Sequence, residues 1–225
     1  MTKEILLCGG TGGLGSLLYD YLFKATAPGD GNRFGEYEVI KMGSRDLDLS
    51  DARSITGVIQ TRKPEIVINL STISVDSLIH KMSYTDASDQ LNVNCLGNAT
   101  LMREFAKVSR ERKYGRYIYI SSVLSERPVA GAGIYSACKA FNDNLIRTAA
   151  LENGKYGVTF NSIQLGYFGA GLCDRLPEIV KLDVLNRIPC KRFGKIYELA
   201  NAIDFIINTE YLNGANIPLT GGIDI

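Results

Sequence analysis

The sequence predicts an α/β protein built on one doubly wound parallel sheet with helices on both of its faces. Short apolar runs alternate with helical patterns along the whole chain, as they do when parallel strands are joined by crossover helices. No internal repeat or change of composition divides the chain, and its 225 residues suit one such unit, because α/β folds of about 200–250 residues form single domains. Residues 1–225 are therefore expected to form a single domain.

The first elements follow from local patterns at the start of the chain. The apolar run EILLCGG predicts a buried strand that ends in glycine. A helix is expected directly after it, because Leu17, Leu18, Tyr21 and Leu22 recur at the spacing of one helix face. Residues 25–35 are rich in Gly, Pro and Asp, which predicts a loop.

Two strands and a helix are expected next. YEVIKMG predicts the second strand and PEIVINLS the third. Between them, DARSITGVIQTRK has helical spacing, with Ser50 or Asp51 placed to cap its N-terminus. Residues 85–112 then predict a long helix, since apolar side chains from Leu91 to Ala106 form one stripe.

The second half of the chain repeats the alternation. GRYIYISSV predicts a strand, residues 135–151 a helix, and VTFNSIQLG another strand. Residues 166–188 are expected to be irregular or partly helical. IYELANAIDFIINTE predicts a final helix and GANIPLTGG a final strand.

Composition narrows the possible functions. The net charge of +1 provides no electrostatic attraction for nucleic acid or a membrane surface, so neither is expected as a partner. The apolar run in MTKEILLCGG is too short for a signal peptide or a membrane span. The five cysteines lack CxxC spacing and there is one histidine, so we expect reduced thiols, a cytoplasmic location and no metal site.

The turn CGGTGGLGS follows the first strand and opens the first helix. Gly9, Gly13 and Gly15 are expected to matter most, because glycine permits positive φ and close approach of the backbone to a ligand. A phosphate there would meet free N–H groups and the positive end of the helix. The pattern predicts a Rossmann-like dinucleotide site, although a strand-to-helix turn without a ligand would look the same. The other contacts expected in this turn are Thr11, Gly12 and Leu14.

The end of the second strand bears on the choice of dinucleotide. An acidic residue there would bond the adenosine ribose of NAD(H), whereas an arginine accepts the 2′-phosphate of NADP(H). KMGSRD places Ser44 and Arg45 near this position, with Asp46 close behind. Because arginine is permanently charged and fork-shaped, NADP(H) is favoured over NAD(H). The alternative is a solvated Arg45 with Asp46 on the ribose.

The stretch GIYSACKAF sets Tyr135 four residues before Lys139. On a helix, residues four apart share one face, about 6 Å apart along the axis. EYEVIK repeats this spacing with Tyr37 and Lys41, but on a strand four residues span roughly 13 Å, so that pair cannot cooperate. Tyr135 and Lys139 suit carbonyl reduction, because an ammonium lowers the phenol pKa from about 10 and a nicotinamide supplies hydride. A helix start with a surface tyrosine and lysine is the alternative.

With these features the sequence resembles the short-chain dehydrogenase/reductase family nearly end to end. The motifs that carry the resemblance are CGGTGGLG, LDLSD, NLST, NVNCLGN, YISSV and QLGYF. The resemblance implies that Ser122, thirteen residues before Tyr135, orients the carbonyl and that Tyr135 is the acid. It implies that Lys139 tunes Tyr135 and binds the ribose, and that Asn94 holds a water that relays protons. The further cofactor contacts that it implies are Asp48, Leu49, Asn69, Leu70, Ser71, Gly166 and Phe168.

Within the family, the sequence is most similar to 3-oxoacyl-[acyl-carrier-protein] reductases, through ISVDSLIHKM and RIPCKRFG. This implies NADP(H)-dependent reduction of a 3-oxoacyl thioester or similar β-keto compound, carrier- or CoA-linked, in fatty acid biosynthesis. It also implies a homo-oligomer, either a dimer or a tetramer. Residues 169–190 would form a lid over the substrate or a packed surface helix. A reductase or dehydrogenase of a sugar, nucleotide sugar or polyol is the alternative.

Several positions depart from the family's pattern. NLST stands in place of N-N-A-G, QLGYF replaces P-G-x-I, and Ala170 stands near the place of an expected threonine. These departures keep open a different class of function, a dinucleotide-binding regulator without turnover. His80 and Cys138 are interpreted as surface or packing residues, and Cys173, in the expected lid, as a thiol open to oxidation.

Overall fold

The computed structural model describes residues 3–24, 37–171 and 177–223. Within these residues, six strands form one parallel sheet in the order β2-β1-β3-β4-β5-β6. The strands are β1 (Lys3–Cys8), β2 (Tyr37–Met42), β3 (Ile66–Asn69), β4 (Gly115–Ser122), β5 (Val158–Leu165) and β6 (Asn216–Leu219). The predicted doubly wound α/β fold is confirmed.

Helices cover both faces of this sheet. They are α1 (Gly13–Lys24), α2 (Ala52–Arg62), α3 (Tyr84–Leu91), α4 (Asn98–Arg112), α5 (Gly133–Asn153), α6 (Glu178–Arg187) and α7 (Ile196–Asn208). On one face α1 packs beside α7, and on the other α2, α4 and α5 lie side by side. Among the described helices, none combines the length and apolar character needed to cross a bilayer.

The core consists of two apolar layers, one on each side of the sheet. The layer under α2, α4 and α5 contains Phe105, Tyr117 and Phe160, whose ring centroids lie 5.4 to 6.0 Å apart. The layer under α1 and α7 is mainly aliphatic and includes Ile118 and Ile163. Because helices cover both faces, β4 and β5 are buried along their whole length, including polar side chains such as Asn161 and Gln164.

The long helix expected over residues 85–112 is present but not uniform. α3 passes into a π-helical turn at Asn92–Gly97, and α4 continues from it. A π turn inserts extra backbone into the helix and often occurs at functional sites. Periodicity alone did not reveal it, because the apolar stripe continues on either side of the turn.

The segments between the main strands and helices can also be compared with the sequence-based predictions. Asp51 rather than Ser50 caps α2, since its carboxylate accepts from the amide of Arg53 at 2.8 Å. Residues 166–188 are partly helical through α6, as expected. The predicted loop at 25–35 lies outside the described residues, as do Cys173 and the neighbouring part of the expected lid.

The strand order determines where a ligand can bind. From β1 the chain crosses to β2 on one side and later returns to β3 on the other side. Helices therefore leave β1 and β3 on opposite faces of the sheet, and a crevice forms between them at the carboxyl ends of the strands. The glycine turn after β1 and the chain after β3, β4 and β5 meet at this edge.

Candidate active site

The turn between β1 and α1 contains glycines where the backbone passes close to itself. Gly9 has a φ of +74°, which other residues rarely adopt, and a Cβ there would lie 2.9 Å from the amide nitrogen of Ser71. A Cβ on Gly13 would lie 3.0 Å from the Cα of Gly171, and one on Gly15 would overlap the carbonyl oxygen of Gly9. α1 begins at Gly13, so its unpaired N–H groups lie at this turn.

A cleft of about 480 Å³ opens in front of the glycine turn, at the carboxyl ends of the strands. The predicted site residues that line it come from five segments of the chain. They are Gly9, Gly12, Gly13, Leu14, Gly15, Leu70, Ser122, Tyr135, Lys139, Gly166 and Phe168. The fold therefore brings together residues that are far apart in sequence.

Tyr135 and Lys139 lie one turn apart near the start of α5 and both face the cleft. The Lys139 Nζ lies 5.5 Å from the centroid of the Tyr135 ring and 4.7 Å from that of Tyr119. It donates a hydrogen bond of 2.8 Å to the carbonyl oxygen of Ile120. The expectation that the two side chains share one pocket is met.

The other Tyr-x-x-x-Lys pair behaves as a strand pair. Tyr37 and Lys41 lie on β2. The Lys41 Nζ lies 4.7 Å from the ring centroid of Tyr19, whereas the Tyr37 hydroxyl lies 3.3 Å from that of Tyr114. These two side chains therefore contact different parts of the protein.

Lys139 is an ammonium in a nearly dry position. Only 3% of the residue is exposed, and burial lowers its pKa to about 8, opposed by the negative charge of Asp143. Burial also raises the pKa of Tyr119 well above its ordinary value. An ammonium beside a phenol favours the phenolate, so the site can stabilise charge that develops on Tyr135.

Ser122 ends β4 and is 8% exposed, at the wall of the cleft. Its Oγ accepts from the amide of Leu124 at 3.2 Å. This bond fixes the oxygen and leaves the hydroxyl hydrogen for an acceptor in the cleft.

Asn94 lies in the π turn and is 1% exposed. Its Oδ1 accepts from the amide of Ile73 at 2.9 Å and from the Thr72 hydroxyl at 3.2 Å, and its Nδ2 donates to the carbonyl of Ile73 at 2.7 Å. Its carbonyl oxygen accepts from the side chains of Asn98 and Asn142, each at 2.7 Å. Asn94 thus holds the chain after β3 in place, and its water-relay role stays a prediction.

The residues expected to select the dinucleotide lie in an exposed turn after β2. Ser44 and Arg45 are exposed. The carboxylate of Asp46 turns back and accepts from the amide of Gly43 at 3.1 Å. Asp46 therefore stabilises its own turn, beside Thr11, whose side chain a Cβ on Gly43 would strike.

The remaining predicted contacts do not line the main cleft. Asp48 is exposed, and its Oδ1 accepts from the amide and hydroxyl of Ser50 at 2.8 and 2.7 Å. Leu49 is buried against Gly97. Asn69 is fully buried, donates to Asn98 and Tyr117, and accepts from the amide of Ser71 at 3.0 Å. Asn69 thus shapes the turn that places Leu70 in the cleft.

Gly166 and Phe168 close the cleft beyond β5. A Cβ on Gly166 would lie 2.8 Å from the Cα of Thr220. Phe168 is 4% exposed, and its ring would lie 2.7 Å from a Cβ on Gly194. Glycine at position 194 therefore leaves room for the Phe168 ring, which lines the end of the cleft together with Ala170.

Sequence reasoning missed some of the cleft lining. The residues not named as site residues are Thr72, Ile120, Ser121, Leu165, Ala170 and Gly171. Most lie beside a predicted site residue at or after a strand end, so their position at the carboxyl edge was an available signal. His80 is exposed on a short turn and Cys138 is buried, as interpreted from the sequence.

Comparison with known proteins supports the same interpretation. The family model described as "Enoyl-(Acyl carrier protein) reductase" matches residues 43–224. The 3-oxoacyl-[acyl-carrier-protein] reductase MabA of Mycobacterium avium is 28% identical over 232 residues, covering 99% of this chain and 90% of the relative. An acetoacetyl-CoA reductase of Allochromatium vinosum is 28% identical over 243 residues, covering 99% of each chain.

Solved structures include a close match in fold. The crystal structure of a proposed 2-deoxy-d-gluconate 3-dehydrogenase from Agrobacterium tumefaciens, with bound NADP, has a TM-score of 0.87 and 21% sequence identity. The match covers 98% of this chain and 96% of the other. At this level of identity, the likeness shows a common fold.

Proposed function

The chain belongs to the short-chain dehydrogenase/reductase family of oxidoreductases, and from that premise we propose that it reduces a 3-oxoacyl thioester or similar β-keto compound with NADP(H). The observation that carries the proposal is the meeting of Tyr135, Lys139 and Ser122 in the cleft that the glycine turn also lines. Relatives at 28% identity are named as reductases of a 3-oxoacyl-carrier protein and of acetoacetyl-CoA. Both substrates are β-keto thioesters.

The residues of the cleft fit a dinucleotide. A side chain at Gly9, Gly13 or Gly15 would collide with neighbouring backbone. Because these positions are glycine, the N–H groups at the start of α1 stay accessible to a phosphate. When bound, reduced nicotinamide supplies the hydride. Arg45 favours NADP(H), because it is exposed beside the turn whereas Asp46 already bonds the amide of Gly43. The solved structure with the same fold holds NADP.

The proton is the protein's own contribution to the reaction. Tyr135 donates it to the substrate oxygen, and the neighbouring Lys139 ammonium stabilises the phenolate that remains. Ser122 donates its free hydroxyl hydrogen to the same oxygen and orients the carbonyl. Asn94 forms hydrogen bonds with Thr72 and Ile73 and so holds the part of the cleft wall that follows β3.

The first experiment follows NADPH consumption with acetoacetyl-CoA. Tyr135→Phe removes the proton donor, so kcat/KM should fall by about 10²–10⁴-fold, the usual contribution of general acid catalysis. Tyr37→Phe is the matched control, since Tyr37 also precedes a lysine by four residues but lies on β2, and its activity should equal that of the wild type. Full activity in Tyr135→Phe would refute the proposed mechanism.

The substrate panel decides among the alternatives. Crotonyl-CoA tests enoyl reduction, the activity named in the description of the matching family model. 2-Deoxy-d-gluconate with NADP+ tests the sugar-acid reaction named for the structure with the same fold. NADPH binding without turnover of any substrate would favour a non-catalytic regulator.

The proposal also covers the oligomeric state, the cellular location and the pathway of the enzyme. We place the enzyme in the cytoplasm, in fatty acid biosynthesis, as a homodimer or homotetramer. A groove of about 370 Å³ between α4 and α5 supports self-association. Its floor is formed by small and apolar side chains such as Met102, Ala106, Leu145 and Ala149, which suits a second copy of the same helix pair.

A further inference from the structure

Asp143 is a buried carboxylate for which the proposed mechanism has so far no role. It lies on α5 one turn after Lys139 and is 3% exposed. Buried aspartates are rare unless a partner compensates their charge. The position of Asp143 on the same helix face as Lys139 points to that partner.

The hydrogen bonds of Asp143 connect it to the end of the central strands. Its Oδ2 accepts from the Ser121 hydroxyl at 2.9 Å and from the Gln164 side-chain amide at 3.0 Å. Ser121 and Gln164 are register partners on β4 and β5, so both side chains point to the face that α5 covers. The Asp143 Oδ1 is buried and has no hydrogen-bond partner among the described residues, so a charge on this oxygen can be compensated only by a cation nearby.

Lys139 is bound to the same strand end. Its Nζ donates to the carbonyl oxygen of Ile120, the residue before Ser121. No hydrogen bond or ion pair joins Asp143 to Lys139 among the described residues, so the carboxylate acts on the ammonium through space. Ser122, the proposed carbonyl-orienting residue, follows directly, so three consecutive residues of β4 serve Lys139, Asp143 and the substrate.

Among the other titratable groups near Lys139, the buried Cys138 also raises the pKa of the lysine, but less than Asp143 does. The rings of Tyr119 on β4 and Tyr135 on α5 lie 4.7 and 5.5 Å from its Nζ. Cys138 precedes it on α5, and its Sγ donates to the carbonyl oxygen of Gln90 on α3 at 3.9 Å. Glu126, after β4, is exposed and is reached only through Gln164, which donates to it at 3.1 Å.

We propose that Asp143 is a positioning residue whose buried carboxylate keeps Lys139 charged and, through Ser121 and Gln164, holds the ends of β4 and β5 against α5. The inference rests on the proposed roles of Tyr135 and Lys139. Asp143 is not among the residues that line the cleft, and it acts through the ammonium that stabilises the Tyr135 phenolate.

The sign of the effect follows from the charges. Burial lowers the pKa of Lys139 to about 8, and Asp143 opposes that fall. Replacing the carboxylate by a neutral amide removes the opposition, so Lys139 should lose its proton at lower pH. A nearby opposite charge typically moves a pKa by about 1–3 pH units.

The direct test is the titration of Lys139 by NMR in protein labelled at the lysine ε-carbon, without added cofactor. Lys139→Met identifies the signal by its loss. In Asp143→Asn the titration midpoint should fall by about one pH unit or more, and the alkaline limb of the kcat/KM profile for NADPH-dependent reduction should move in the same direction. An unmoved midpoint in folded Asp143→Asn would overturn the inference.

Ser121→Ala is the matched control. It removes one hydrogen bond to Asp143 but no charge, so the Lys139 midpoint should stay within a few tenths of a pH unit of the wild type. If Ser121→Ala shifts the midpoint as far as Asp143→Asn does, the effect comes from packing and the charge argument fails.

A double-mutant cycle covers the case in which Asp143→Asn is too unstable to titrate. The fall in urea midpoint caused by Asp143→Asn should be smaller in the Lys139→Met background, because no buried ammonium is then left without its partner. An equal fall, or a double variant that does not fold, would overturn the inference. Failure of the proposed function is recognised separately, because Tyr135→Phe would then keep its activity whatever Lys139 does.

Discussion

At the scale of single residues, Lys139 combines a charge with deep burial. Among the residues that the structure describes, its ammonium donates one hydrogen bond, to Ile120, and lies near the rings of Tyr119 and Tyr135. Water around a lysine stabilises the charged form, and its removal lowers the pKa of Lys139 to about 8. A group that titrates this near to neutral pH is suited to take part in proton transfer, but its burial reduces the stability of the protein.

Lys139→Met should therefore stabilise the protein without cofactor. The pKa of about 8 in the folded state lies below the ordinary value of 10.5, so the unfolded chain binds this proton more tightly and the native state is penalised below pH 8. The free energy of unfolding at pH 7 should rise by about 3 kcal/mol in the variant, a figure that already includes the lost attraction to Asp143 because that attraction contributes to the pKa.

The gain should shrink as the pH rises from 8 to 10.5, because the unfolded lysine then loses its proton too. Urea unfolding of both proteins at pH 7 and pH 10 measures this dependence. A gain of the same size at both pH values would show that packing, and not the titration of Lys139, is its cause.

At the scale of elements, the π turn between α3 and α4 positions the wall of the cleft. It directs the Asn94 side chain to Thr72 and Ile73 after β3. In this turn the Asn94 carbonyl oxygen also accepts hydrogen bonds from the side chains of Asn98 and Asn142. Asn142 is fully buried and donates to Asn94 and to Cys138, so it ties the turn to α5 beside Lys139.

Asn142→Leu keeps the volume of the side chain but removes both of these donors. The free energy of unfolding should fall by about 1–3 kcal/mol, the usual cost of leaving a buried polar group short of a partner. Asn144→Leu is the control on the same helix, since Asn144 is exposed and should change stability by less than about 0.5 kcal/mol. Chemical denaturation of the two variants makes the comparison, and equal effects would mean that Asn142 does not hold the turn.

At the scale of the whole molecule, the face formed by α4 and α5 offers a surface on which a second copy of the chain can pack. The groove there has a floor of small and apolar residues, with Arg103, Lys107 and Glu152 at its sides. Leu151 lies on α5 and is 86% exposed. Burying such a surface supplies the hydrophobic free energy of association.

Light scattering should therefore give a mass of two or four times the chain mass of 24.6 kDa. Ala149→Arg places a charge in the groove and should shift the protein toward the monomer, because a buried unpaired charge is costly. Ala52→Arg is the control, as Ala52 is exposed on α2, away from the groove. A wild-type monomer, or an Ala149→Arg variant with unchanged mass, would contradict the proposed assembly.

Much of this molecule was predictable because its signals are local. Alternating apolar runs and helix faces revealed the parallel sheet, since each strand and helix carries its own period. The glycines of the turn after β1 stand within one short segment, and Tyr135 and Lys139 are a single helix turn apart. The spacing also separated this pair from Tyr37 and Lys41, because a strand carries side chains four residues apart to distant points.

The amino-acid sequence by itself thus determined the fold class, the glycine turn and the Tyr135–Lys139 pair. Only the tertiary structure decided what surrounds Lys139. Ser121, Asp143 and Gln164 meet because two strands pair in register under one helix, and the π turn diverts Asn94 to the chain after β3. Contacts between residues so far apart in the chain produce no periodic pattern in the sequence. Their free energies, and their effects on the charge of Lys139, arise only when the sheet and its helices pack together.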